Sequence, residues 1–187
     1  MKFPEINFNR YGMAAILLVG AILLGSAPAL AESPEGSSAA VTWSEDKRFL
    51  DNGDGTITDT QTGLMWMKKD SRQHFGHWLT WREAFTYVKK LNEEGFAGHY
   101  DWQMPTLDDL KTLFEANKTN SRQMGSGMTI HIDPIFEKEG SGAWWSLEPN
   151  GNFNAFGIEY NNGGRFSSAK TAKARRAVRA MRIVVKP

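Results

Sequence analysis

DNGDGTITDTQTGLMW, residues 51–66, admits two readings, a calcium-holding loop or a pair of tight turns between strands. A calcium loop of the EF-hand type needs oxygen ligands at positions 1, 3 and 5, glycine at 6 and a carboxylate at 12. With Gly55 at position 6, position 1 falls on Leu50, which has no side-chain oxygen, and position 12 on the neutral Gln61. Starting at Asp51 instead puts Gly53 and Gly55 on ligand positions. Turn chemistry accounts for every residue. Asn52-Gly53 and Asp54-Gly55 supply the positive φ of tight turns, and Thr56, Ile57 and Thr58 suit a half-buried pleated surface. The stretch predicts a hairpin from Phe49–Leu50 to Thr56–Thr58, then a second turn, Thr60–Gly63, into Leu64, Met65 and Trp66.

Upstream, residues 1–31 read as a signal peptide. Lys2 and Arg10 precede an apolar run, Met13–Leu24, and Ala29-Leu30-Ala31 is an A-x-A cleavage site. The run is shorter than the roughly 20 residues of a membrane span, so export with cleavage before Glu32 is expected, and membrane contact only through the transient leader. Residues 32–47, rich in Ser, Ala, Glu and Gly, read as a linker to a domain over residues 48–187. There is no cysteine, hence no disulfide staple and no lipid anchor on a thiol, and stability rests on the core.

Charge is balanced but unevenly placed. Without residues 1–31 the chain holds 20 Lys+Arg and 20 Asp+Glu, while residues 160–187 carry eight bases and no acid. Such a block is either an anion-binding surface or a basic strand set against an acidic remainder.

Two helices are signposted. Thr80 with Glu83 forms a capping box, Trp81–Glu94 places Trp81, Ala84, Phe85, Val88 and Leu91 on one face, and Gly95 is the stop. Thr106 with Asp109 opens a second helix whose stripe is Leu107, Leu110, Leu113 and Phe114. Further on, Trp144–Leu147 and Asn154–Tyr160 read as strands, Asn161–Gly164 as a turn and Arg165–Ser168 as the return. Ala169–Arg182 favours helix on propensity, whereas Ile183–Val185 favours strand. Strands, helices and strands in that order predict an α+β domain.

The set DNGDGTITDTQTGLMW, TWREAFTYVKKLN, DWQMPTLDDLKTLF, AWWS and RAVRAMRIV, in this order, resembles the Lcl C-terminal domain family, a bacterial domain of unknown function. The resemblance runs from about Arg48 to Val185. Asp101-Trp102-Gln103-Met104-Pro105 stands where the family usually has Asp-Trp-Arg-Leu-Pro, and the family's frequent cysteines fall at Tyr87 or Val88 and at Ala177 or Ala180. The resemblance implies a C-type-lectin-like fold of two helices and a small twisted antiparallel sheet, with the tail Ala177–Val185 as a strand. Their apolar bulk makes core the default place for most of Trp66, Trp81, Trp102, Trp144 and Trp145, with one or two left over as surface stacking platforms. Related folds that act as formylglycine-generating enzymes use cysteine chemistry, which a chain without cysteine excludes.

Three constellations invite function. Glu148-Pro149-Asn150 matches a sugar-and-calcium triplet of C-type lectins, but the only acid downstream is Glu159, no Trp-Asn-Asp follows, and Pro-Asn-Gly is ordinary turn chemistry. His74 and His77 have metal-like spacing without a fixed third ligand, so a solvated loop is expected, with no metal and no cofactor. The basic tail carries most weight. Strand alternation sends Arg175, Ala177, Arg179 and Met181 to one face and Arg176, Val178, Ala180 and Arg182 to the other. Arg176, Arg179 and Arg182, with Arg165, Asn161, Asn162 and Trp145, form the expected ligand-binding set for sulfate or carboxylate groups of an acidic glycan or other polyanion. The competing account pairs these arginines with the acidic remainder. The expectation is an exported, non-enzymatic binding module for a glycan or another extracytoplasmic ligand, with a structural or assembly subunit of the envelope, binding protein partners, as the alternative. Export disfavours nucleic acid, and an oligomer is compatible with the sequence.

Overall fold

The computed structural model describes residues 41–184, so the leader over residues 1–31 and the linker as far as residue 40 lie outside the described residues. The domain starts within the stretch expected as linker: β1 (Thr42–Trp43) pairs antiparallel with β2 (Phe49–Asp51). The turns of the opening stretch then deliver β3 (Thr56–Asp59) and β4 (Leu64–Met67), each antiparallel to the strand before it. Gly53 and Gly55 take φ of 78° and 91°, conformations that side-chain-bearing residues rarely adopt.

Three helices follow. The shortest, α1 (Ser71–Phe75), lies in the stretch expected to be loop, and Asp70 caps it in a box with Gln73. The helix α2 (Trp81–Glu94) has the expected Thr80–Glu83 box and ends at Gly95 with φ of 62°, and α3 (Leu107–Thr112) has the Thr106–Asp109 box. The buried face of α2 is rotated from the expected stripe. Tyr87 is buried with Ala84, Val88 and Leu91, and Phe85 is left on the surface.

A two-stranded ribbon, β5 (Ser121–Arg122) and β6 (Thr129–Ile130), precedes a three-stranded antiparallel sheet of β7 (Ala143–Asn150), β8 (Asn154–Glu159) and β9 (Gly164–Ala169). Glu148-Pro149-Asn150 is therefore the end of a strand, with a register shift before Pro149, and the chain reverses after it. The last strand, β10 (Met181–Ile183), pairs with β4 and completes a five-stranded sheet of order β1-β2-β3-β4-β10. The α+β class is the one expected, with one short helix more and the strands divided among three sheets.

Two apolar clusters make the core. One gathers Phe49, Ile57, Trp66, Leu113, Trp144 and Tyr160, and the other Met67, Tyr87, Leu91, Trp102, Trp145 and Phe166. The tail divides them. Ala177 and Met181 face the first cluster, Val178 and Ala180 the second. Its backbone is shared between both large sheets: the Trp145 amide donates to the Ala177 carbonyl (2.9 Å) and the Met67 amide to the Ala180 carbonyl (3.0 Å). The alternation expected along the tail is present, but both of its faces are inside.

Candidate functional site

The expected ligand-binding set does not assemble on one surface. Trp145 is fully buried, its indole N–H donating to the Leu79 carbonyl at 2.9 Å. Arg179 is 1% exposed. Its Nη1 donates to the carbonyls of Met67 (2.6 Å) and Lys68 (2.5 Å), and its guanidinium lies between the rings of Trp144 and Phe136 at 4.4 and 4.8 Å. Burial lowers its pKa to about 10, with the Asp70 charge opposing the shift. Trp145 and Arg179 are thus corrected from ligand contacts to core. Arg182 donates through Nε and Nη2 to the two Asp101 carboxylate oxygens at 2.7 and 3.1 Å, and that bond lowers the Asp101 pKa. Arg176 lies over the Phe166 ring at 4.1 Å with Glu159 at 3.9 Å. Only Asn161, Asn162 and Arg165 remain exposed: Asn162 accepts from the Gly164 amide in the β8–β9 turn, and Arg165 covers the Phe156 ring at 4.5 Å.

Besides Arg165, the basic block turns outward, among the described residues, in the turn holding Lys173 and Arg175. This turn meets α1, the helix that was not expected. A groove of about 390 Å3 lies between them, lined by Arg72, Gly76, His77, Trp78, Lys173 and Ala174. Asp70 positions its near wall. This carboxylate is buried and accepts from the Gln73 amide (3.0 Å), the Ser141 amide (2.6 Å) and the Trp144 indole (3.1 Å). Gly76, with φ of 79°, ends the helix and turns His77 and Trp78 toward the basic turn, where the Leu79 amide donates to the Arg176 carbonyl at 3.0 Å.

The groove offers cations and an aromatic face. The Arg72 guanidinium lies 5.2 Å from the Trp78 ring, its Nη2 faces the Met124 sulfur at 3.3 Å, and its Nε is buried without a partner. Thioether sulfur is a weak acceptor, so this guanidinium has hydrogen-bonding capacity left over. Lys173 donates to Glu83 at 2.8 Å, which holds the Glu83 pKa near 2. Arg175 is exposed in the same turn at φ of 57°. Of the two histidines with metal-like spacing, only His77 lines the groove. The His74 ring is within 3.0 Å of the Tyr87 hydroxyl instead. Arg72 and Trp78 were not anticipated. The signal that leads to them is Asp70-x-x-Gln73, a capping box in a stretch without apolar periodicity.

The acids of residues 51–59 are turn acceptors. Asp54 accepts from the Thr56 amide and hydroxyl, Asp51 from the Gly53 amide and Lys68, and Asp59 from the Gln61 amide and Arg48. Glu148 accepts from the Leu107 amide at 3.0 Å and thereby caps α3. No cluster of three or more His, Asp or Glu able to hold a metal occurs among the described residues.

A second groove, of about 630 Å3, runs between α2 and β7. Phe85, Val88, Met104 and Leu147 line it, with Phe85 36% and Leu147 43% exposed.

Comparison with known families matches residues 55–182 to the Lcl C-terminal domain. Comparison with curated proteins gives no match.

Proposed function

The chain belongs to the Lcl C-terminal domain family, and on that footing we propose that it is an exported, non-enzymatic binding module for a glycan bearing acidic groups. The observation that carries this reading is the Arg72 guanidinium beside the Trp78 ring, with a thioether sulfur as its side-chain partner, in a groove that Lys173 and His77 also line. Guanidinium and ammonium groups hold sulfate or carboxylate oxygens, and an indole face takes the C–H face of a sugar ring. The lining contains no hydroxyl, thiol or carboxylate, which favours binding over catalysis. The A-x-A site at residues 29–31 supports export.

The test is titration with heparin oligosaccharides. Binding should be strong at about 0.01 M salt and should fall steeply past about 0.1 M, where the screening length shrinks to roughly 10 Å. Arg72→Gln and Lys173→Gln should each weaken it, while Arg182→Gln should not. Absence of binding at low salt would sink the reading. The intact mass of the exported chain should correspond to a start at Glu32.

The apolar groove between α2 and β7 favours a second reading, an assembly subunit of the envelope that takes an apolar segment of a partner protein. Phe85→Glu would then abolish co-purification of that partner and leave heparin binding unchanged.

A further inference from the structure

We infer that the domain carries a second binding site, between β1 and the segment 117–135, and that its ligand is an uncharged sugar ring. This goes beyond the acidic-glycan reading and stands without it, because the two grooves share no lining residue. A groove of about 460 Å3 opens there, within the roughly 300–1,000 Å3 range of small-ligand sites. Trp43 forms one wall and is 51% exposed, in a domain that buries four of its other tryptophans. Asn117 and Thr119, both exposed, present an amide and a hydroxyl, and Glu45 adds a carboxylate.

The backbone that carries Trp43 is held in place. β1 pairs with β2 at Trp43–Leu50, the Ser44 amide donates to the Phe49 carbonyl (2.8 Å), and the Ser44 hydroxyl donates to Asp46 (2.7 Å). Asp46 in turn receives Lys118 from across the groove at 2.6 Å. A backbone fixed at Trp43 leaves only the side chain to order on binding, which favours a stacking platform.

Charge selects the ligand. The Lys118 ammonium faces three carboxylates, Asp46 and Asp133 at 2.6 Å and Glu115 at 2.9 Å, so its three protons all have acceptors. Arg48 is held by Asp59 at 2.7 Å, with Glu115 at 3.5 Å. On the lining Glu45 and Asp133 outnumber Lys118, whose ammonium Asp46 and Glu115 also neutralise, and the surplus repels sulfate, phosphate and carboxylate. What the site accepts is a ring with one C–H face for the indole and hydroxyls for the amide, the alcohol and the carboxylate. That describes a neutral pyranose.

The experiment uses the chain as exported and processed by the expressing cell, titrated calorimetrically with cellotriose, maltotriose, mannotriose and chitotriose. At least one should bind at millimolar concentration or better. Its affinity should hold steady between about 0.01 and 0.15 M salt, unlike that for heparin. Trp43→Ala should weaken that binding about tenfold or more, the scale of a lost stacking contact, and should leave both the unfolding midpoint and heparin binding in place. Failure of all four sugars, binding that survives Trp43→Ala, or loss of heparin binding in Trp43→Ala would each overturn the inference. So would a lysine-rich peptide that binds at Trp43 where the sugars do not.

Discussion

Arg179→Ala should be among the most damaging single substitutions in the domain. The side chain is 1% exposed and bonds two carbonyl oxygens, of which Lys68 O also accepts from the Glu137 amide at 3.2 Å. Truncation therefore leaves the Met67 carbonyl short of its donor, at about 1–3 kcal/mol for a buried unsatisfied group. It also empties the space between the Trp144 and Phe136 rings, where long-to-alanine core changes cost about 2–5 kcal/mol. Relief of the desolvation of a buried cation works the other way by several kcal/mol. The three terms leave a loss of about 3 kcal/mol. Urea unfolding followed by tryptophan emission reads it as a midpoint lowered by about 1–2 M, for a slope of about 2 kcal/mol/M. Arg175→Ala, at an exposed position, should stay within about 0.5 kcal/mol of the parent. Arg179→Met refills the space and should recover part of the loss. If Arg179→Ala loses less than about 1 kcal/mol, or no more than Arg175→Ala, the account of Arg179 as a core bridge is wrong.

Gly157→Ala places a Cβ against the Trp144 carbonyl oxygen and the Phe166 ring, so a loss of at least about 3 kcal/mol is expected in the same urea assay. Glu148→Ala removes the carboxylate at the α3 N-terminus and should cost about 1 kcal/mol, with amide exchange at Leu107 accelerated. Burial holds the His74 pKa below its ordinary value of 6.5. The unfolded chain then takes up its proton first, and stability contributed above that value is lost as pH falls through it. His74→Gln should flatten the decline in melting temperature below neutral pH. Millimolar calcium should leave the melting temperature of the parent unchanged, since the acids of residues 51–59 already serve the turns; a rise that Asp54→Ala abolishes would revive the metal reading.

The devices legible in the sequence are local ones. The turns at Asn52–Gly55 and Thr60–Gly63 and the caps at Thr80 and Thr106 each involve residues a few positions apart, and all are in the structure as expected. Three features escape such reading. With only five residues, α1 shows no apolar period, and its cap is its one signal. Pro149-Asn150 continues a strand because a register shift accommodates it, and turn chemistry cannot disclose a shift that depends on the partner strand. The tail is the deepest case. Alternation predicted its two faces correctly, but an arginine between apolar residues looks like a surface residue. Its burial depends on carbonyls more than a hundred positions away, at Met67 and Lys68. The candidate groove shares that difficulty. The basic block at Lys173 was visible, whereas Arg72 and Trp78 come to it from the other side of the domain's sequence.

The placement of residues 177–183 between the two large sheets has a consequence in time. The ribosome makes this segment last among the domain's elements, yet it supplies a shared wall to both apolar clusters and the edge strand beside β4. A nascent chain ending at Arg176 holds nearly every other strand and helix, but the amides of Met67, Ser71 and Trp145 lack their carbonyl partners. At about 5–20 residues per second, translation keeps the domain in that unfinished state for about a second. Completion then awaits contacts that span most of the domain, the kind that form slowly. Throughout that interval the chain stays open to proteases, so a frameshift after codon 176 should yield degraded protein where a shift after codon 184 yields a folded one.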